Sequence, residues 1–285
     1  MTFEYWFMFP VAALIATVAM ASGVEGATFF VPVFMLGLKL PPSVAIGTGL
    51  ITEVFGFASG LFAYARKRLI DYKLGLALLV VTVPMAVVGT VLSGVVPPLL
   101  LKVIFAVGLV VVALSFLKNL DEKDVALLDD RIQVEYSGPR ASTTLVSANG
   151  ESISYTVCNK KEGRLIAGIG GLFMGMISTG LGEMNGYFLL QRCKVPSKVS
   201  VATSVFVISI TALLSSAGHF VRFATGGGNE LSTVLSIVMF TAPGVVIGGQ
   251  IGARIASRIP QRTLELTLAV LFLIVAGLTL YQSLA

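Results

Sequence analysis

The sequence predicts an all-α polytopic membrane protein made of two inverted repeats, each a re-entrant helical hairpin followed by three transmembrane helices, with a small β insert between the halves. Three observations predict it. Of the 285 residues 55% are apolar and only 12% charged, with a mean hydropathy of +0.91; a soluble domain carries about 25% charged residues, so the chain reads as lipid-embedded. A sequence word recurs in the two halves at constant spacing. The basic residues alternate between connections with opposite phase in the two halves.

Eight apolar segments run over roughly 6–38, 42–65, 74–96, 99–117, 165–191, 199–221, 231–253 and 263–283. The first apolar run is preceded by no Lys or Arg, so the N-terminus lacks the positive region of a cleaved signal peptide. Segments one and five are each broken by glycines, at G23-V-E-G-A-T-F-F and at G180-L-G-E-M-N-G-Y-F. On either side of each break lie apolar stretches of about thirteen residues, which as helix reach about 20 Å, enough to enter a ~30 Å hydrocarbon core but not to cross it. After each break comes a Lys-x-Pro turn. L38-K-L-P-P-S-V-A-I-G-T matches C193-K-V-P-S-K-V-S-V-A-T, pairing Lys39 with Lys194, Pro41 with Pro196 and Thr48 with Thr203 at an offset of 155. Gly23 pairs with Gly180 at an offset of 157, so two residues are gained in between.

In the first half, the connections after segments one, two and three hold Lys39, then Arg66, Lys67, Arg68 and Lys73, then Lys102. In the second half they hold Arg192, Lys194 and Lys198, then Arg222, then Arg254, Arg258 and Arg262. Eight plain crossings would make one half violate the positive-inside rule. The conflict disappears if the first segment of each half enters and leaves on one side. The N- and C-termini are then outside and the insert is cytoplasmic.

The domain boundaries follow: membrane repeat 1 over 1–118, a soluble β-rich insert over 119–163 and membrane repeat 2 over 164–285. The insert holds eight acids against five bases. Ile132–Tyr136 and 142–157 alternate apolar and polar residues, and Asn149-Gly150 signals a tight hairpin turn. A folded linker is the plain reading, a regulatory site the other. Basic residues at segment ends are topology signals and do not argue for nucleic acid. The two cysteines, Cys158 and Cys193, lack CxxC spacing and do not point to zinc or redox chemistry.

Irregular backbone at membrane depth is tolerated only where it is buried in protein or lines a cavity. Two opposed breaks near the midplane are the layout of a secondary transporter, and helices leaving them present free N–H groups that favour an anion. The candidate substrate-binding residues are Gly23, Gly26, Ala27 and Thr28 at the first break and Gly180, Gly182, Asn185 and Gly186 at the second. Gly26, Ala27 and Thr28 are expected to start one half-helix; Met184, Asn185 and Gly186 the other. Thr48 on the next helix of repeat 1, and Thr203 and Ser204 on that of repeat 2, add small residues and hydroxyls, whose plain reading is close helix packing. Glu25 and Glu183 sit at the breaks. Each either carries protons, donating to an anion when protonated, or caps the free amides of its own half-helix. Glu53 is a third acid in an apolar segment; its repeat-mate is Ile208, which sets it outside the symmetric scaffold, lining the path or pairing with Arg254. His219 is expected at the interface beside Arg222. Gln250, in a small-residue stretch, is a lesser pore-lining candidate.

The pattern G-x-G-G-G, then Pro, a short turn and A-x-G-T-[SG]-L resembles the TauE/SafE family of sulfite and organosulfur anion exporters. Here it reads G23-V-E-G-A-T-F-F-V-P and A45-I-G-T-G-L, with a second copy in G180-L-G-E-M-N-G and V201-A-T-S-V, and the likeness covers both membrane halves. Family glycines are replaced by Glu25 and Ala27, and by Glu183 and Met184; Leu189 stands where the first copy has Pro32. The resemblance implies a transporter of the cell (inner) membrane that exports a small inorganic or organosulfur anion, sulfite or an organosulfonate first. The acids at the breaks, departures from the family pattern, add proton coupling as an option, and the residues call for no cofactor and no bound metal. The transporter's partners are that anion and the lipid bilayer, and a homodimer is compatible with it. A proton-coupled cation or metal transporter is the alternative suggested by the acids, although clustered His, Cys or Asp ligands are lacking. A sensor acting through the insert is a further one. No nucleophile–base pair, Walker motif or hydrolase motif is present, so an enzyme is not expected.

Overall fold

A computed structural model describes residues 3–22, 25–118, 127, 130–131, 143–157, 160–226, 229–255 and 261–284. A short 3₁₀ turn precedes α1 (Met8–Ser22). Helix α2 (Ala27–Pro32) continues as one π turn over Val33–Gly37, followed by α3 (Pro42–Lys67), α4 (Tyr72–Val95) and α5 (Pro98–Lys118). Strands β1 (Thr143–Val146) and β2 (Ser152–Tyr155) form an antiparallel pair. The second half contains α6 (Lys160–Ile177), α7 (Leu181–Gly186) with a π turn over Tyr187–Arg192, then α8 (Ser197–Thr225), α9 (Glu230–Ile255) and α10 (Gln261–Leu284). Among the described residues, α3, α4, α8, Pro98–Ser115 of α5 and Glu230–Gly252 of α9 are long and apolar enough to cross a membrane; Met8–Ala19, Ala27–Gly37 and Leu266–Tyr281 are shorter apolar stretches.

The two Lys-x-Pro turns share one backbone conformation. Lys39 and Lys194 both adopt a left-handed conformation, at φ 53° and 51°. The proline two residues on is the N-cap of the next helix in each case, Pro41 at φ −53°, ψ 143° and Pro196 at φ −49°, ψ 137°. Proline fixes φ, and its ring suits a helix start because no amide is lost there. The turns close with matching bonds. Leu40 N donates to Phe34 O and Val195 N to Leu189 O; Leu38 N donates to Val33 O and Cys193 N to Phe188 O.

Packing between the halves is reciprocal. Helix α1 packs on α9, and α6 on α4; α3 meets α8 and α5 meets α10. Backbones touch where side chains are missing. A Cβ on Gly175 of α6 would meet the carbonyl of Ala86 on α4, and one on Gly248 of α9 would meet that of Ala13 on α1. Gly89 of α4 and Gly244 of α9, 155 residues apart, make the same kind of contact with α6 and α1. Such approach substitutes dispersion for the hydrophobic drive that lipid cannot supply. Helix α8 is central, with 67% of its apolar window buried, against 33% for α5.

The strand pair sits against both halves. Ala148 N donates to Lys67 O at the end of α3, and Lys198 at the start of α8 pairs with Glu151 at 3.1 Å. The fully buried Tyr155 donates its hydroxyl to Asp71 Oδ2 at 2.7 Å, while Asp71 Oδ1 caps α4 by accepting from Leu74 N and Asp71 N donates to Thr203 Oγ1. Burial, with the bond to Asp71 added, pushes the Tyr155 hydroxyl well above its ordinary range, so it remains a donor at any physiological pH. The tight two-residue turn expected at Asn149-Gly150 is corrected. Val146 pairs with Ser152, so Ser147–Glu151 form a longer loop in which only Gly150 takes positive φ, at 80°. The strand expected at Ile132–Tyr136 lies outside the described residues.

Three substitutions check this packing. Gly175→Ala drives a methyl group into a backbone carbonyl and is expected to lower thermal stability of the purified protein by about 1–3 kcal/mol. Gly277→Ala in α10, with nothing within 4 Å, is expected to be neutral or to stabilise by up to about 1 kcal/mol. Tyr155→Phe leaves Asp71 Oδ2 without its donor and is expected to cost about 1–3 kcal/mol by the same assay.

Candidate functional site

The two interruptions lie against each other. The first ends at Gly26, which precedes α2. The second runs through Ser178, at φ 63°, to Gly180, at φ 105°, which precedes α7. That left-handed value favours glycine, and it fixes where the helix begins. The expected start at Met184, Asn185 and Gly186 is therefore corrected: α7 begins at Leu181, and its first turn of amides includes Gly182 and Glu183.

Glu25 does not cap its own half-helix through its side chain. Its Oε1 crosses to the other break and accepts from Gly182 N at 2.6 Å. A Cβ on Gly182 would stand 2.7 Å from that oxygen, so the residue must be glycine for the carboxyl to arrive. Alongside, Thr28 Oγ1 donates to Thr179 Oγ1 at 2.9 Å, and Ser178 Oγ donates to the Ile46 carbonyl of α3 at 3.0 Å. Nothing singled out Ser178 and Thr179 beforehand; the signal was the Ser-Thr pair directly before Gly180.

Glu53 approaches the other start. Its Oε1 would lie 3.6 Å from a Cβ on Gly26, and Ile208 Cδ1 would lie 3.3 Å from one on Gly182. Each repeat-mate thus lies near a helix start, one polar and one apolar. Glu53 is brought within electrostatic reach of Glu25 and Glu183. The side chain of its expected partner Arg254 lies outside the described residues, as does Gly23.

Several buried polar atoms of these elements have no hydrogen-bond partner among the described residues: Oε2 of Glu25, both amide atoms of Asn185, and Ser204 Oγ. The other two carboxyls face helix-start amides, Glu53 those of Gly26 and Ala27 before α2, and Glu183 those of Gly180 and of its own residue in α7. Buried polar groups are normally paired, so the unpaired atoms of Glu25, Asn185 and Ser204 are poised for a ligand or for water. Thr48 and Thr203 are not. Thr48 donates to Val44 O on its own helix, and Thr203 accepts from Asp71 N. Ala27 is buried in α2, and Gly186 has open space around it. His219 is buried inside the bundle, with one ring nitrogen 3.2 Å from Gly175 O, about two turns before the end of α8. Gln250 is on the exterior, donating to Ser59 Oγ at 2.9 Å. Among the described residues no three His, Cys, Asp or Glu side chains are arranged to hold a metal. Cys193 is disulfide-bonded; Cys158 lies outside the described residues.

Long apolar helices around two interrupted helices, with unpaired polar groups at the meeting point, define a polytopic membrane protein of transporter build. The family model described as "Sulfite exporter TauE/SafE" matches residues 8–279, and the chain belongs to that membrane transporter family. It is also similar to the "Probable membrane transporter protein YunE" of Bacillus subtilis (strain 168), with 26% identity over 248 residues that cover 84% of each chain. No solved structure matches.

The contact between the breaks can be tested directly. Glu25→Ala strands a buried amide and is expected to cost about 1–3 kcal/mol of stability, whereas Glu25→Gln keeps an acceptor and costs less. Gly182→Ala should match Glu25→Ala, and Gly186→Ala should be mild, all read by thermal unfolding of the purified protein.

Proposed function

We propose that the chain is a secondary transporter that exports a small anion, sulfite or an organosulfonate, from the cytoplasm by alternating access at a site between its two breaks. The observation that carries the reading is the buried meeting of two helix starts beside the unpaired amide of Asn185 and hydroxyl of Ser204. Helix starts present positive dipole ends, and the unpaired Asn185 and Ser204 replace lost hydration. With the cell interior negative, moving one negative charge outward gains ~2.3 kcal/mol per 100 mV. Membership of the sulfite exporter family supports the substrate class.

Residues 1–118 and 164–285 act as inverted repeats, each with one re-entrant hairpin and three crossings, and 119–163 as an insert between them. The opposed charge pattern supports termini outside and the insert inside the cell (inner) membrane. The disulfide at Cys193 pulls the other way, because such bonds persist in oxidising compartments. Six connections speak for the charge-based orientation and one bond against it, and the first is adopted.

Ionised Glu25, Glu53 and Glu183 would repel an anion. Protonated, they donate to it, so anion and protons bind together. A proton-coupled cation transporter is the second reading, favoured by three buried carboxyls within electrostatic reach of one another. Thermal-shift titration of the purified protein with sulfite, sulfate, thiosulfate and small sulfonates at two pH values separates the two. Stabilisation follows RT ln(1 + [L]/Kd). One sulfur anion is expected to raise Tm selectively, and more strongly at the lower pH. The double variant Glu25→Gln, Glu183→Gln, permanently neutral there, is expected to keep anion binding and lose most of its pH dependence. Stabilisation by a divalent cation alone, abolished in that variant, would establish the second reading instead.

A further inference from the structure

Away from the breaks, the outer faces of α4 and α8 enclose an open groove of about 400 Å³, a volume within the usual range for ligand sites. Its walls are Val87, Val91 and Val95 of α4 and Leu214 and Val221 of α8, over a floor that includes Gly218. Val91 and Val221 are each 59% exposed, so these walls face the surroundings and not the core. Arg222 stands at one end, near the level where both helices finish, at Val95 and Thr225. From there the lining residues step back along both helices by 8 and 11 positions, which is about 12–17 Å of rise, close to half of a ~30 Å hydrocarbon core. A cation therefore sits at the helix-end level, and an apolar trough one leaflet deep runs inward from it.

The guanidinium is held in place and incompletely used. It donates to Ser93 Oγ at 3.3 Å and to Ser43 O at 3.1 Å, and it lies over the Phe223 ring at 5.1 Å. Those acceptors are uncharged. Glu230 is within electrostatic reach, but no carboxylate forms an ion pair with Arg222 among the described residues. A fork of donors fixed by neutral partners is suited to a phosphate oxygen.

We propose that this groove binds one phospholipid with an anionic headgroup, its phosphate on Arg222 and one acyl chain along Val91 and Val87 toward the middle of the bilayer. Complementary charge at the open end and the one-leaflet length select this occupant over a second copy of the chain.

The test uses the full chain purified in detergent, with phosphatidylglycerol or phosphatidylcholine of the same acyl chains added, read by native mass spectrometry and thermal shift. Retention of phosphatidylglycerol over phosphatidylcholine by about fivefold is expected, the ratio for one basic residue near a lipid headgroup. Arg222→Gln should bring that ratio to about one while Arg222→Lys keeps a preference. Val91→Trp, a change on an exposed wall, should reduce binding of both lipids and leave the fold intact. Equal retention of the two lipids by the unaltered protein overturns the proposal. So does a preference that survives both Arg222→Gln and Val91→Trp, an equal stabilisation by glycerol phosphate without acyl chains, or a lipid-free dimer that is broken by Val91→Trp.

Discussion

Everything in this molecule turns on backbone amides that have no water to bond to. An unsatisfied amide at membrane depth costs several kcal/mol, so interrupted helices there require partners from the rest of the protein. The partners of the two interruptions include each other. Glu25 of the first break accepts from Gly182 of the second, and Thr28 bonds Thr179 beside it. Neither break is a self-contained structural unit, and each half supplies what the other lacks.

The same mutual dependence shapes the surrounding helices. Helix α1 finds its tightest neighbour in α9 and α6 in α4, so each half carries helices that the other encloses. The glycine contacts at Gly175 and Gly248 bring main chains together, and contact of this kind is the main adhesive available in lipid, where burying leucine from leucine-like surroundings gains little.

How much of this could be read beforehand depended on how local the cause was. The Lys-x-Pro turns were legible because proline fixes its own φ and leaves a readable mark in both halves; the structure repeats them bond for bond around Lys39 and Lys194. The long apolar helices were legible from composition for the same reason. The start of α7 was not. It is set by the positive φ of Gly180, whereas the sequence pattern pointed to Met184, Asn185 and Gly186. The reach of Glu25 across 157 residues to Gly182 was invisible, because no local pattern encodes which of two nearby helix starts a carboxyl will serve. Glu53 was set apart for lacking an acidic mate, yet both it and Ile208 reach a helix start.

The strand pair has a mechanical meaning. Tyr155 is bonded to Asp71, Asp71 to Thr203, and Glu151 to Lys198, so a segment from the middle of the chain is fastened to the α3–α4 corner of one half and to the first turns of α8 in the other. A swing that parted α4 from α8 at that end would have to pull a buried phenol away from its carboxylate. A swing about that end as a pivot would instead have to open the bond from Arg222 of α8 to Ser93 of α4 at the far end. The α4–α8 contact is thus tied at both rims, and only the near one rests on a buried phenol held by a carboxylate.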